Sequence, residues 1–264
     1  MIRAHLFPCT APTDPWFRWR GGSVSRVEAL ADGVFALALA FLITSIPIPN
    51  TYPELVQGLR HMPALAVCFA MLMFLWYSHH IFFRRYGLED KTTVVCNAVF
   101  LFLVLAYVHP LRFLASFLFF AFSDGALSPA SKGTYLDGDD GRWLMPFYSS
   151  GVVAVFGMLL LMHCHAWRRR RQLQLDEIEE HLTREAMGSH AISAGLGLTS
   201  LVLAATTPSL TSLSGWIYCA MGPLHGWHGA RAGKRLARLL ASAAPSSGGG
   251  PVAHDESGPE SMGS

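Results

Sequence analysis

Six long apolar runs, separated by short segments of sharply uneven basic content, constrain this chain more than anything else in it. About 20 apolar residues suffice to cross a hydrocarbon core of about 30 Å. The first run extends from Val24 to Ile46 and stops at Pro47-Ile48-Pro49. The second covers Met62 to Phe83, and the third starts near Thr92, passes Pro110 and reaches Phe122. The third is too long for one straight crossing, so either its outer part leaves the membrane or Pro110 kinks it. The fourth covers Met145 to Trp167. The fifth, Ala191 to Thr207, and the sixth, Leu210 to Trp227, are shorter and meet at a tight turn on Pro208. Only 14% of the residues are charged and 52% are hydrophobic, where an ordinary soluble domain carries about 25% charged residues. This balance excludes a disordered chain, a secreted scaffold and a nucleic-acid binder. The expected fold class is all-α, a polytopic membrane protein with six transmembrane helices embedded in a lipid bilayer.

Charge then sets the orientation. Arg3, Arg18, Arg20 and Arg26 precede or open the first run, and Arg84, Arg85 and Lys91 lie between the second and third. Arg168 to Arg171 and Arg184 lie between the fourth and fifth, and Arg231, Lys234, Arg235 and Arg238 follow the sixth. These are sixteen of the 20 basic residues. The alternate loops carry only Arg60, Lys132 and Arg142, with Arg112 near the outer part of the third run. Basic residues gather in cytoplasmic loops, so both termini are expected inside. The organisation read from the chain is a disordered cytoplasmic leader over 1–23 and a transmembrane domain over 24–230. A basic, then low-complexity cytoplasmic tail follows over 231–264. The leader ends in Trp16, Arg18, Trp19 and Arg20, a composition suited to the interface. The loop from Ser123 to Trp143, with Asp124, Asp137, Asp139 and Asp140, is expected outside. Arg168 to Glu185 reads as a cytoplasmic helical extension of the fourth span.

Ionisable and polar groups are costly in a bilayer and therefore informative. Arg26, Glu28 and Asp32 open the first helix, His79 and His80 follow Trp76 in the second, and Asn97 lies early in the third. All sit at one depth, near the cytoplasmic ends of their helices. A shared network between helices accounts for them economically, serving either as packing bonds or as part of an ion path. On the first helix, Gly33, Leu37, Ala40 and Thr44 recur at spacings of four, three and four and so share one stripe. At about 100° per residue, Asp32 lies about 140° away from Leu37. Ala191, Gly195 and Thr199 form a small-residue pattern expected at a close helix contact. His225 and His228, at i and i+3, are a weak candidate metal pair, and His163 and His165 point in different directions on a helix. The five cysteines are widely spaced and fit neither a disulfide framework nor a C-x-x-C metal motif. No phosphate-binding, nucleophile-elbow, zinc-protease or dinucleotide motif is present, so the chain is not expected to be an enzyme or to hold a cofactor or metal.

Three motifs in order carry a resemblance. Arg26-x-x-x-Leu30-Ala31-Asp32 resembles the R-x-x-x-F-S-D signature that opens the first helix of the transmembrane protein 175 family, potassium channels of lysosomes and prokaryotes. Trp76-x-x-His79-His80, followed by Phe82 and Arg84, is similar to that family's second-helix motif. Asn97 and Pro110 fall where its third helix carries an Asn and a Pro. The likeness covers about residues 24 to 115, and the remainder only as topology.

The resemblance implies a six-span homotetramer of the prokaryotic plasma membrane, built around four copies of helix one and passing potassium ions. It also implies a pore without the T-V-G-Y-G carbonyl filter of ordinary potassium channels, a motif absent from this sequence. By motif position, the apolar rings fall on Leu37 and Thr44 and the family's Thr layer falls on Ala40. The chain departs from the family at Leu30 and Ala31, where a Phe and a Ser are usual, and at Ser78, where an Asn precedes the His pair. Alternative readings of the same residues are a proton-permeable or weakly selective cation pore, because Ala40 offers no oxygen, and a non-conducting membrane scaffold.

Overall fold

The computed structural model describes residues 15–44, 48–123, 141–207 and 211–243, and among these every regular element is helical. Helix α1 covers Arg26–Thr44, the short α2 covers Tyr52–Arg60, α3 covers Met62–Tyr86 and α4 covers Lys91–Ser123. Helix α5 covers Gly141–Arg168, α6 covers Glu177–Thr206, and the short α7 covers Thr211–Trp216. One 3₁₀ turn over Ile217–Ala220 leads into α8, Met221–Ala243. Helices α1, α3, α4, α5 and α6 are each long and apolar enough to cross a membrane.

The helix ends follow from local chemistry. Ser25 and Glu28 form a reciprocal cap on α1: Ser25 N donates to Glu28 Oε2 (2.9 Å) and Glu28 N donates to Ser25 Oγ (3.1 Å). Helix α3 ends on Gly87 at φ 57°, a left-handed cap that glycine adopts without strain. Helix α6 opens on Asp176, whose side chain accepts from Glu179 N while the Glu179 side chain accepts from Asp176 N. Helix α4 is continuous through Pro110 for 33 residues, about 50 Å at 1.5 Å per residue. That exceeds the hydrocarbon thickness, in line with an outer part projecting beyond it.

Helix α1 packs on α3 and α4, α4 packs on α5, α5 on α6, and α6 on α8. The main core joins Phe35, Ala38 and Leu42 of α1 to Leu72 of α3, Phe100 and Val104 of α4 and Leu159 of α5. A second core at the basic end joins Phe17 to Phe82, Phe83 and Tyr86 of α3 and Met162 and Ala166 of α5.

The structure departs from the sequence expectations in three places. Residues 168–185 are not an extension of the fourth span. Helix α5 ends at Arg168, the chain turns through Gln174 at φ 49°, and the helical part from Glu177 onward belongs to α6. Residues 16–21 of the expected leader are packed rather than loose, with Phe17 buried edge-on against Tyr86 (5.6 Å between ring centroids). Finally, Ala191, Gly195 and Thr199 face outward, and the small residues buried on α6 are Ser193, Gly197, Ser200 and Ala204. A Cβ on Gly197 would lie 3.0 Å from Val152 Cγ1, so that line makes the close approach to α5. The acidic loop, the Pro208 turn and the low-complexity end lie outside the described residues.

Candidate functional site: the first helix and the polar pairs that hold it

Two stripes run along α1. Glu28, Ala31, Phe35, Ala38 and Leu42 are buried against α3 and α4. Leu30, Gly33, Leu37, Ala40 and Thr44 are exposed, with Leu37 at 44%. Both lines repeat at three and four residues and are offset by two, which puts them about 200° apart on the helix. The helix therefore buries one face within the protomer and leaves the other bare. A Cβ on Gly33 would meet nothing within 4 Å. Thr44 Oγ1 donates to Ala40 O (2.9 Å), an i−4 bond that satisfies the hydroxyl proton and leaves its lone pairs directed away from the backbone.

The polar residues expected to form one network resolve into separate pairs. Trp76 Nε1 of α3 donates to Asp32 Oδ1 of α1 (2.8 Å), and the Trp76 ring stacks on His80 (5.4 Å between centroids). His79 Nε2 donates to Asn97 Oδ1 of α4 (2.6 Å) at a buried position. The His79 ring also lies parallel to Phe100, 5.6 Å between centroids. One bond thus ties α1 to α3 and another ties α3 to α4, at neighbouring levels. Arg26 is exposed and its side chain makes no bond to another described residue. The ion pair reaching α3 from the first turn of α1 comes instead from the buried Glu28, whose Oε1 lies 3.6 Å from Arg84 Nε.

Beneath α1, at the basic end, a clasp holds the chain that leads into it. Arg20 N and Gly21 N both donate to Arg84 O (3.1 Å each). The backbones approach so closely that a Cβ on Gly21 would lie 2.7 Å from Phe83 O, and one on Gly87 would lie 2.9 Å from Arg20 O. Arg18 and Arg20 converge on Glu179 of α6, whose side chain is fully buried; Arg20 Nη2 donates to its Oε2 at 2.6 Å. Tyr86 Oη donates to Thr183 Oγ1 (2.9 Å), linking α3 directly to α6. In the α3–α4 connection, Asp90 faces His165 Nε2 at 3.1 Å and Arg169 Nη2 at 3.4 Å. Burial opposes its charge, but bonds from Thr93 and His165 and the nearby Arg169 prevail and hold the Asp90 carboxyl at about 2. Sequence reasoning missed the roles of Phe17, Gly21, Gly87 and Glu179. The two Ser/Asp-x-x-Glu caps, Ser25 to Glu28 and Asp176 to Glu179, were readable from spacing alone.

The histidine pair of α8 is satisfied by protein groups. His225 lies between Ser189 Oγ (3.2 Å from Nδ1) and Ser193 Oγ (3.0 Å from Nε2), and His228 Nε2 donates to Glu185 O (3.0 Å). Among the described residues no cluster of three metal-ligating side chains occurs.

The sequence profile of the family described as "Endosomal/lysosomal potassium channel TMEM175" matches residues 26–107, the stretch from the start of α1 into α4. A protein of Marivirga tractuosa named "Potassium channel" is 32% identical over 245 residues, covering 89% of this chain and 98% of its own length. A shorter match, 33% identical over 101 residues, is to a protein named "Potassium channel" from Streptomyces collinus, covering 35% of this chain and 48% of that one. Among solved structures, a variant of the potassium channel MtTMEM175 bound to a nanobody–MBP fusion protein superposes with a TM-score of 0.75. It is 32% identical and covers 84% of this chain and 98% of that one.

Proposed function

Because the chain belongs to the TMEM175 family, a family of channels rather than enzymes, we propose that it is a potassium channel whose pore is lined by the exposed stripe of α1. The observation that carries this reading is the pair of opposed stripes. An isolated protomer leaves Gly33, Leu37, Ala40 and Thr44 uncovered while the other face of the same helix is packed shut. Four copies of α1 around an axis, as a homotetramer, would cover that bare stripe and enclose a path.

Leu37 then forms an apolar ring that obstructs ions by size and by dewetting. The pore has no carbonyl filter. One turn towards the outside, Ala40 contributes a methyl group, and Thr44 contributes the single hydroxyl of the stripe, its proton already given to Ala40 O. The pairs Trp76–Asp32 and His79–Asn97 hold α1 against α3 and α3 against α4 from behind, keeping the bare face turned outward.

The topology proposed is six spans, the sixth assembled from α7, the 3₁₀ turn and the first turns of α8. Both termini are cytoplasmic, and the protein is a multi-pass protein of a prokaryotic plasma membrane with its channel domain over 24–230. The basic residues of the Trp16–Arg20 segment, the last turn of α3 and the α5–α6 turn gather at one end of the bundle, bound to each other's elements or to the α3–α4 connection, which supports that orientation.

Potassium flux through purified protein in liposomes tests the function. Flux down a potassium gradient is the expected result, and its absence overturns the channel reading in favour of a scaffold. Flux carried equally by protons or sodium would favour the weakly selective pore that Ala40 allows.

A further inference from the structure

Helix α8 is divided lengthwise. His225, His228, Ala232, Leu236 and Leu239 lie on one side, partly covered by α6. His228 Nε2 bonds to Glu185 O, and His181 Nε2 of α6 donates to Ala232 O (2.9 Å). On the neighbouring face, about 100° round the helix, Leu224, Trp227, Arg231, Lys234 and Arg238 recur at spacings of three, four, three and four, so they form one exposed stripe, flanked by Arg235. Trp227 is 61% exposed, and the Arg231 guanidinium sits 5.1 Å from its ring centroid. Helix α8 contains no Asp or Glu. Lys234, Arg235 and Arg238 form no ion pair among the described residues, so four positive charges face outward with no counter-charge from those residues.

We infer that this stripe is a binding surface for anionic phospholipid of the cytoplasmic leaflet. Three observations choose that occupant. The first is order along the stripe: apolar Leu224, then amphipathic Trp227, then the basic residues, running from the membrane towards the cytoplasm. An aromatic ring at the headgroup level with cations below it matches a lipid's acyl, glycerol and phosphate layers in sequence. The second is depth. His228 lies beside Glu185, and Trp167 of α5 packs against Arg184 at 4.6 Å, so Trp227 and Trp167 share one level. Trp167 is itself held between Arg170 and Arg184, each 4.6 Å from its centroid, the composition of an interfacial belt. The third is position in the bundle. Helix α1 packs on α3 and α4, and α8 packs chiefly on α6, at the other end of the packing series through α5. In an assembly around α1 the outer face of α8 therefore meets lipid and not a sister subunit.

The inference needs a membrane-embedded protein with this end cytoplasmic, but not conduction. Its test reads retained lipid rather than flux. Full-length protein in mild detergent is equilibrated with equimolar phosphatidylglycerol and phosphatidylcholine, and bound lipid is counted by native mass spectrometry. The wild type should retain phosphatidylglycerol over phosphatidylcholine by about tenfold or more, as expected for several cations near an anionic surface. The quadruple variant Arg231→Gln, Lys234→Gln, Arg235→Gln, Arg238→Gln should fall close to parity at unchanged oligomeric size. Replacing the three arginines by lysine should keep the preference, since it is charge that is read. A quadruple variant that retains phosphatidylglycerol like the wild type overturns the inference and moves the lipid to the Arg168–Arg171 turn. A wild type with no preference, whose quadruple variant shifts in oligomeric size, overturns it too and assigns the face to a second copy of the chain.

Discussion

Helices α1 and α6 both carry lines of small residues at helical spacing, yet they use them in opposite ways. Helix α6 turns Ser193, Gly197, Ser200 and Ala204 inward and presents Leu198 and Val202, each 51% exposed, to the outside. Its small face is consumed in contact: Ser149 and Ser200 hydroxyls lie 2.8 Å apart, and Ser200 Oγ donates on to Ser214 O (2.9 Å). Helix α1 instead buries the large Phe35 and Leu42 together with Ala31 and Ala38, and leaves Gly33, Leu37, Ala40 and Thr44 bare. Small residues on a buried face let backbones approach and bond, the usual means of helix association in lipid. Helix α6 also leaves Ala191, Gly195 and Thr199 uncovered, so a bare small-residue line is not enough by itself; the bare line of α1 is set apart by lying on the helix at which the family match begins. On this comparison we propose that α6 is part of the frame and that α1 is the functional helix.

The largest effect expected from breaking the frame is at Gly197. Gly197→Leu would drive a side chain into Val152 and Val153 of α5, and overpacking of this kind costs about 1–3 kcal/mol. Thermal unfolding in detergent should fall markedly, while channels that survive reconstitution keep wild-type ion preference. A changed preference at wild-type stability would remove the distinction between the two helices.

A smaller but more local effect is expected at Asp32, the acceptor of the Trp76 bond. Asp32→Ala loses one interhelical hydrogen bond per protomer, worth about 1–2 kcal/mol in model membranes. Size-exclusion chromatography should show monomer or aggregate in place of the assembled species. A variant that assembles normally and conducts with altered selectivity would put Asp32 in the ion path instead of behind it.

The smallest effect concerns the basic end, where Asp90 joins the α3–α4 connection to α5. Its carboxyl is held at about 2, below the ordinary 3.8. A depressed carboxylate contributes stability that is present above the unfolded-state value and is lost as pH falls through the folded-state value. Wild type should therefore be more stable than Asp90→Asn at pH 7, and the gap in melting temperature should close between about pH 4 and pH 2. A gap that is constant over that range would mean the carboxylate charge does not matter there.

Much of this was legible in the sequence because bilayer burial and loop charge impose strong, simple patterns. The five long helices fall on the runs read from hydrophobicity, and Asp32, His79, His80 and Asn97 come from the few polar positions that such runs tolerate. The pattern could not tell which polar group pairs with which. Arg26 and Glu28 are both charged and both in the first turn, and only packing shows that Glu28 is the one turned inward to Arg84. It also failed on α6, where Ala191-Gly195-Thr199 and Ser193-Gly197-Ser200 are equally good small-residue lines and rotation about the helix axis decides between them. The Arg18–Arg20 clasp was hidden because its partner, Glu179, is some 160 residues away and looks like one acid among several in a solvated turn.

The central claim is that the bare stripe of α1 lines the pore, and Leu37 tests it most directly. Wild type, Leu37→Ser and Ala40→Thr should be purified at matched oligomeric size, reconstituted at matched density and compared by potassium and sodium flux. If Leu37 forms the constriction, Leu37→Ser widens and wets it, raising flux and weakening discrimination between the two ions, while Ala40→Thr adds an oxygen ring and favours potassium without enlarging the pore. Leu37→Ser channels that are only less stable, with flux and ion preference unchanged, would contradict the account and return α1 to the frame.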